Sequence, residues 1–105
     1  MITLKDLLSL KDNDGMTLKR GRRASYNSGY QVATHGIETK SPRIALEQIK
    51  AWDGNAGVWV SKNIFYVDKS HHVQDLDEAI AIGKTYNQQS IYDWKNDTLI
   101  WLSKI

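Results

Sequence analysis

The densest group of chemically capable side chains is Lys19-Arg20-Gly21-Arg22-Arg23, and Tyr26 and Tyr30 follow closely. A guanidinium makes forked hydrogen bonds to phosphate and a tyrosine ring stacks on a base, so the segment suits a nucleotide or a nucleic-acid backbone. A charged hairpin tip that only protects an edge strand explains the same residues equally well. Trp59 points away from Val58 and Val60 by strand alternation, and His35 precedes Gly36, a residue that permits a bend or a close backbone approach. The candidate ligand-binding set is therefore Arg20, Arg22, Arg23, Tyr26, Tyr30, His35 and Trp59, although a partly buried, hydrogen-bonded histidine is the plainer explanation of His35.

Other clusters have suitable residue types but the wrong arrangement. His71-His72, with Asp68 before and Asp75 after, offers metal-binding groups. Neighbours on an extended segment point to opposite sides, so both imidazoles do not readily reach one ion, and no metal is expected. Asp68, Ser70 and His71 are serine-hydrolase residue types without the Gly-x-Ser-x-Gly elbow. Asn87-Gln88-Gln89-Ser90 supplies amides that could read a base or a peptide, or simply satisfy a helix end. No P-loop, dinucleotide fingerprint, paired zinc spacing or convincing carboxylate pair occurs, so neither an enzyme nor a cofactor is expected.

The elements that must position these groups are marked by their caps and turns. Thr3 caps a short helix with Asp6 in its first turn and Leu4, Leu7 and Leu8 as its apolar stripe; Asp12-Asn13-Asp14-Gly15 ends it. Met16 to Arg20 and Arg22 to Tyr26 read as strands around Gly21, with a third strand at Tyr30 to Thr34. Ser41-Pro42 starts a helix with Ala45, Ile49 and Trp52 inward, and a hairpin turning at Lys62-Asn63 follows. Asp75-Leu76-Asp77-Glu78 starts another helix, with Ala79, Ile80, Gly83 and Tyr86 as its stripe, and a last hairpin turns at Lys95-Asn96-Asp97. The second helix-hairpin unit follows the first at a fixed offset of 34 residues, cap on cap and turn on turn. The expected fold is a single α+β domain over residues 1–105, an antiparallel sheet of hairpins with two longer helices on one face and a short N-terminal helix.

Composition sets the broad class. The chain has 105 residues, 41% hydrophobic and 25% charged, with four Trp and five Tyr, which suffices for one cooperative core. The absence of cysteine excludes disulfides and fits a reducing compartment. Met1 to Leu8 lacks a basic lead before a long apolar run, and no run approaches membrane-spanning length, so a cytoplasmic location is expected. The net charge of +2 divides into nine Lys/Arg against five Asp/Glu in residues 1–50 and five against seven in residues 51–105. The N-terminal half is thus basic, but too weakly for nucleic acid to be the default partner.

Gly29-Tyr30-Gln31-Val32-Ala33-Thr34-His35-Gly36-Ile37-Glu38, Gly57-Val58-Trp59-Val60, Tyr66-Val67-Asp68-Lys69-Ser70 and Ile82 through Trp94 resemble segments of small uncharacterised proteins from phages and plasmids of Gram-positive bacteria. The resemblance covers most of the chain and transfers no site residue. What it implies is a setting, host cytoplasm, in which small phage proteins bind and neutralise a defence component. The expected function is a non-enzymatic inhibitor of host defence that sequesters a nucleotide signal or occupies a defence protein, in the manner of an anti-CRISPR protein, with a shared site in a homo-oligomer compatible with either. The alternative is a nucleic-acid-binding regulator that uses the basic 19–23 hairpin as a β-ribbon.

Overall fold

The computed structural model describes residues 1–104. Helices α1 (Leu4–Leu8), α2 (Pro42–Ala51) and α3 (Leu76–Thr85) are interleaved with strands β1 (Gly15–Lys19), β2 (Arg22–Arg23), β3 (Tyr30–Thr39), β4 (Asn55–Ser61), β5 (Ile64–Val73), β6 (Ser90–Asp93) and β7 (Thr98–Trp101). The seven strands form an antiparallel sheet in the order β2-β1-β4-β5-β3-β6-β7, giving the expected α+β fold. The helices α2 and α3 begin at residues 42 and 76, and the strands β5 and β7 at 64 and 98, so both recur 34 residues apart.

Each helix starts where the sequence provides an oxygen. Thr3 and Asp6 form a reciprocal capping box, the Ser41 hydroxyl accepts from the Ile44 amide at 3.2 Å with Pro42 next in line, and Asp75 accepts from the Glu78 amide at 3.0 Å. The five residues of α1 cannot sustain a helix alone, so it depends on this cap and on fully buried Leu7.

Close contacts divide the chain into two compact units, with β3 and β5 each contributing to both. The first comprises Met1–Ala24 and Gly36–Lys69. Here β1 and β4 pair antiparallel, with Met16 opposite Val58 and Leu18 opposite Ala56. Leu7, Leu18, Ala45, Ile49, Val58, Val60, Phe65 and Val67 form its core, and Trp59 falls on the opposite face by alternation. Arg20 and Gly21 have φ of 52° and 78°, and Lys62 and Asn63 have 52° and 64°. Two successive positive φ angles make these the tight primed turns that suit a twisted hairpin.

The second unit comprises Ser25–His35 and the chain from Ser70. Val32, Ala79, Ile91 and Leu102 form its core. Gly83 leaves room on α3 for Leu102, whose Cδ1 would lie 2.5 Å from a β-carbon at that position. Strand β6 pairs with β3 on one side, Gln31 opposite Tyr92, and with β7 on the other, Ile91 opposite Ile100.

Several strand boundaries differ from the sequence expectation. The strand expected over 63–67 runs on as β5 to Val73, so that His71 and His72 lie in a strand and not in a loop before α3, and β4 starts at Asn55 instead of Gly57. The strand expected to reach Tyr26 stops at Arg23, because Tyr26 turns its ring onto His72. The strand expected to stop at Thr34 continues to Thr39, because Gly36, which has no side chain, lets the Asp68 carboxylate lie against the backbone.

The β1–β4 register predicts contrasting responses on the two faces. Leu18→Ala should lower the unfolding free energy by about 2–5 kcal/mol in urea denaturation, whereas Lys19→Ala should change it by less than about 0.5 kcal/mol. Equal effects at the two positions would reject this register.

Candidate functional site

The basic hairpin borders a hollow in the first unit. Its volume is about 290 Å³, and its walls are Met1, Ile2, Asp6, Ser9, Met16, Leu18, Gly21, Arg22 and Arg23. Three features of the chain build it. Arg23 lies opposite Leu18 in the β1–β2 pair and therefore shares that residue's side of the ladder. The Ile2 amide donates to the Gly21 carbonyl at 2.5 Å, fastening the segment before α1 to the hairpin turn. Helix α1 and its C-cap then present Asp6 and Ser9 to the same space.

The electrostatics are mixed. Arg22 and Arg23 are exposed and supply two permanent positive charges. The Thr3 amide donates to the Asp6 carboxylate at 2.8 Å and the Thr3 hydroxyl at 3.0 Å, and these bonds hold its pKa below the ordinary value, with the nearby Arg23 charge acting in the same direction. Asp6 is therefore an ionised acceptor at neutral pH. Met1, Ile2, Met16 and Leu18 give the remaining wall an apolar, partly thioether lining.

Arg20 occupies the turn itself, exposed, and is not part of the wall. Trp59, also in the first unit, stacks on Tyr66 with ring centroids 4.2 Å apart and remains 41% exposed. Gly15 lies opposite Trp59 across the ladder, so one flank of this pair is bare backbone. Asp68 has its pKa raised by burial.

The other candidates belong to the second unit, where they are engaged in its own packing. Tyr26 stacks on His72 at 3.8 Å and meets Trp94 edge-on at 5.5 Å. The His72 Nε2 lies 2.8 Å from the Ser28 carbonyl oxygen, and Gly29, with φ of 83°, leaves room for that ring. Beneath these rings, buried Gln31 donates to the Ser70 hydroxyl oxygen at 3.0 Å and accepts from the Trp94 indole at 3.0 Å. Tyr30 packs against the second core. The structure thus gives Tyr26 and Tyr30 packing partners in the second unit, while Arg22 and Arg23 line the hollow of the first.

His35 is exposed in the middle of β3. Its Nδ1 lies 3.1 Å from the Thr34 hydroxyl, its ring meets Tyr86 edge-on at 5.1 Å, and the same hydroxyl lies 3.4 Å from His71 Nε2. Adjacent His71 and His72 therefore have separate partners, as alternation along β5 requires. Among the described residues no group of three His, Asp or Glu is placed to hold a metal ion.

Sequence reasoning located Arg22 and Arg23 but missed the apolar wall and Asp6 beside them. Asp6 carried the signal of a helix cap, which says nothing of a second neighbour. Comparison with protein-family models, curated proteins and solved structures finds no match.

The Tyr92 hydroxyl donates to the Asp97 carboxylate, which, with burial, pushes the tyrosine pKa up to about 12. Because the folded state holds this proton more tightly, the associated stability is present below the ordinary tyrosine pKa of about 10 and is lost as pH rises through the shifted value. An NMR titration of the Tyr92 ring should show the shift, and Asp97→Asn should return it towards about 10. An unchanged midpoint in that variant would exclude the pairing as its cause.

Proposed function

We propose that this chain is a non-enzymatic, phage-type binding protein that inhibits a host defence by sequestering a phosphate-bearing nucleotide signal in the hollow beside Arg22 and Arg23. The observation that carries this reading is the combination of two exposed guanidinium groups with an apolar wall around about 290 Å³ of space. That volume lies at the lower end of ordinary ligand pockets, about 300 Å³, and suits a nucleotide-sized group. In this reading Arg23, which shares Leu18's side of the ladder, holds phosphate oxygens by charge-assisted hydrogen bonds, Arg22 adds positive charge at the rim from the other side of the strand, and Met1 and Met16 cover the flat ring. Asp6, ionised near Arg23, repels phosphate at close range and offers its acceptor oxygens to an amino group of the base instead. The absence of a recognised catalytic motif in the sequence supports binding without turnover.

Two observations support other partners. Exposed Trp59, stacked on half-buried Tyr66, offers an amphipathic patch for occupying a defence protein. Arg20 at the tip of a two-residue turn, with exposed Lys19, Arg22 and Arg23, offers the hairpin to a nucleic-acid backbone instead.

Calorimetry with cyclic mononucleotides and dinucleotides tests the leading reading. Binding should weaken by about 10-fold or more in Arg23→Ala, the loss expected for a hydrogen bond to a charged group, should weaken less in Arg22→Ala, and should be nearly unchanged in Arg20→Ala. Absence of heat with every nucleotide would reject sequestration in favour of a protein target. If the hairpin instead binds nucleic acid, all three variants should weaken DNA or RNA binding, and affinity should fall steeply between low and physiological salt.

A further inference from the structure

A second hollow, of about 640 Å³, lies entirely within the second unit and is lined by Lys84, Asn87, Gln88, Gln89, Trp101, Leu102 and Ser103. Its shape follows from how α3 ends. The Asn87 amide donates to the Lys84 carbonyl at 3.2 Å, the Gln88 amide donates to the Gly83 carbonyl at 2.8 Å, and Asn87 has φ of 56°. This is the left-handed helix stop in which the residue after the cap reverses the chain. The Leu102 amide then donates to the Gln89 carbonyl at 2.9 Å, fixing the strand end against the loop.

Backbone bonds thus satisfy the turn without two of its side chains. Asn87 and Gln89 are exposed, and their carboxamides have no hydrogen-bond partner among the described residues. Gln88 differs, since its carboxamide donates to the Tyr86 carbonyl at 3.3 Å. Trp101, 46% exposed on the terminal strand β7, supplies an indole to the same hollow, and Lys84 supplies an ammonium group.

We propose that this hollow is a binding site for an adenine nucleotide, distinct from the one beside Arg22 and Arg23. The indole offers a stacking face for the base. A carboxamide carries a donor and an acceptor in one plane, the complement of the adenine amino group and its neighbouring ring nitrogen, and of the three that border the space those of Asn87 and Gln89 are unengaged. Lys84 adds a positive charge to the lining, which favours a phosphate-bearing ligand. The hollow lacks the guanidinium groups of the first unit, so base recognition dominates here.

Backbone-amide NMR of the full chain with adenosine monophosphate is the test. Asn87→Gly removes the carboxamide and keeps the left-handed backbone, so it is preferable to alanine at that position. Adenosine monophosphate should perturb residues 84–89 and 101–103, uridine monophosphate should do so much less, and Asn87→Gly with Gln89→Ala should weaken binding by about 10-fold or more. Trp101→Ala should give a similar loss, while Arg22→Ala and Arg23→Ala should leave this response unchanged. No perturbation at millimolar nucleotide, equal response to both nucleotides, or an undiminished response in the Asn87 and Gln89 variant with a preserved spectrum would overturn the site.

Discussion

The pairing of β1 with β4 is the constraint on which the first unit depends. It places Leu18 opposite Ala56 and Met16 opposite Val58, so one side of the ladder enters the apolar core. A slip of one residue would turn Leu18 outward and bring Lys19 in. The same register, carried across to β2, sets Arg23 opposite Leu18 and Arg22 opposite Lys19. Core burial of Leu18 therefore sets Arg23 on the same side of the ladder and Arg22, by alternation, on the Lys19 side, whatever the local preference of arginine. The tight turn at Arg20-Gly21 and the bond from Ile2 to Gly21 then close the hollow around them.

A different device organises the second unit. Gln31 is almost fully buried, yet its carboxamide is satisfied at both ends, by Ser70 and by the Trp94 indole. A buried amide left unpaired would be costly, so this three-residue chain fixes where Trp94 stands. Trp94 in turn supports Tyr26 and Tyr92, and Tyr26 supports His72. Among the described residues no buried side-chain nitrogen or oxygen lacks a partner. The aromatic cluster consequently reads as packing, and the open polar groups of this unit lie at the end of α3.

The elements were legible in the sequence because their signals are local. Thr3, Ser41 and Asp75 each cap a helix within three residues, and Lys62-Asn63 forms its turn from its own backbone angles. Strand alternation likewise placed Val58 and Val60 inward and Trp59 outward. Failures arose where a distant partner decides. Tyr26 leaves its expected strand for His72, and β3 passes straight through Gly36 because Asp68 occupies the space beside it. The candidate site was half legible for the same reason. Arg22 and Arg23 stand out in sequence as charge, whereas Met1, Ile2 and Met16 gather round them only through long-range pairing. Within the described residues, no helix is long and apolar enough to cross a membrane.

Sequestration of a nucleotide signal is the central claim, and native mass spectrometry of the protein taken from cells with an active nucleotide-based defence tests it most directly. The expected spectrum contains the chain with an added nucleotide mass, and that mass is missing from the Arg22→Ala, Arg23→Ala double variant. A bare chain from such cells, a stoichiometric host protein in place of the small ligand, or a nucleotide retained in the double variant would contradict it.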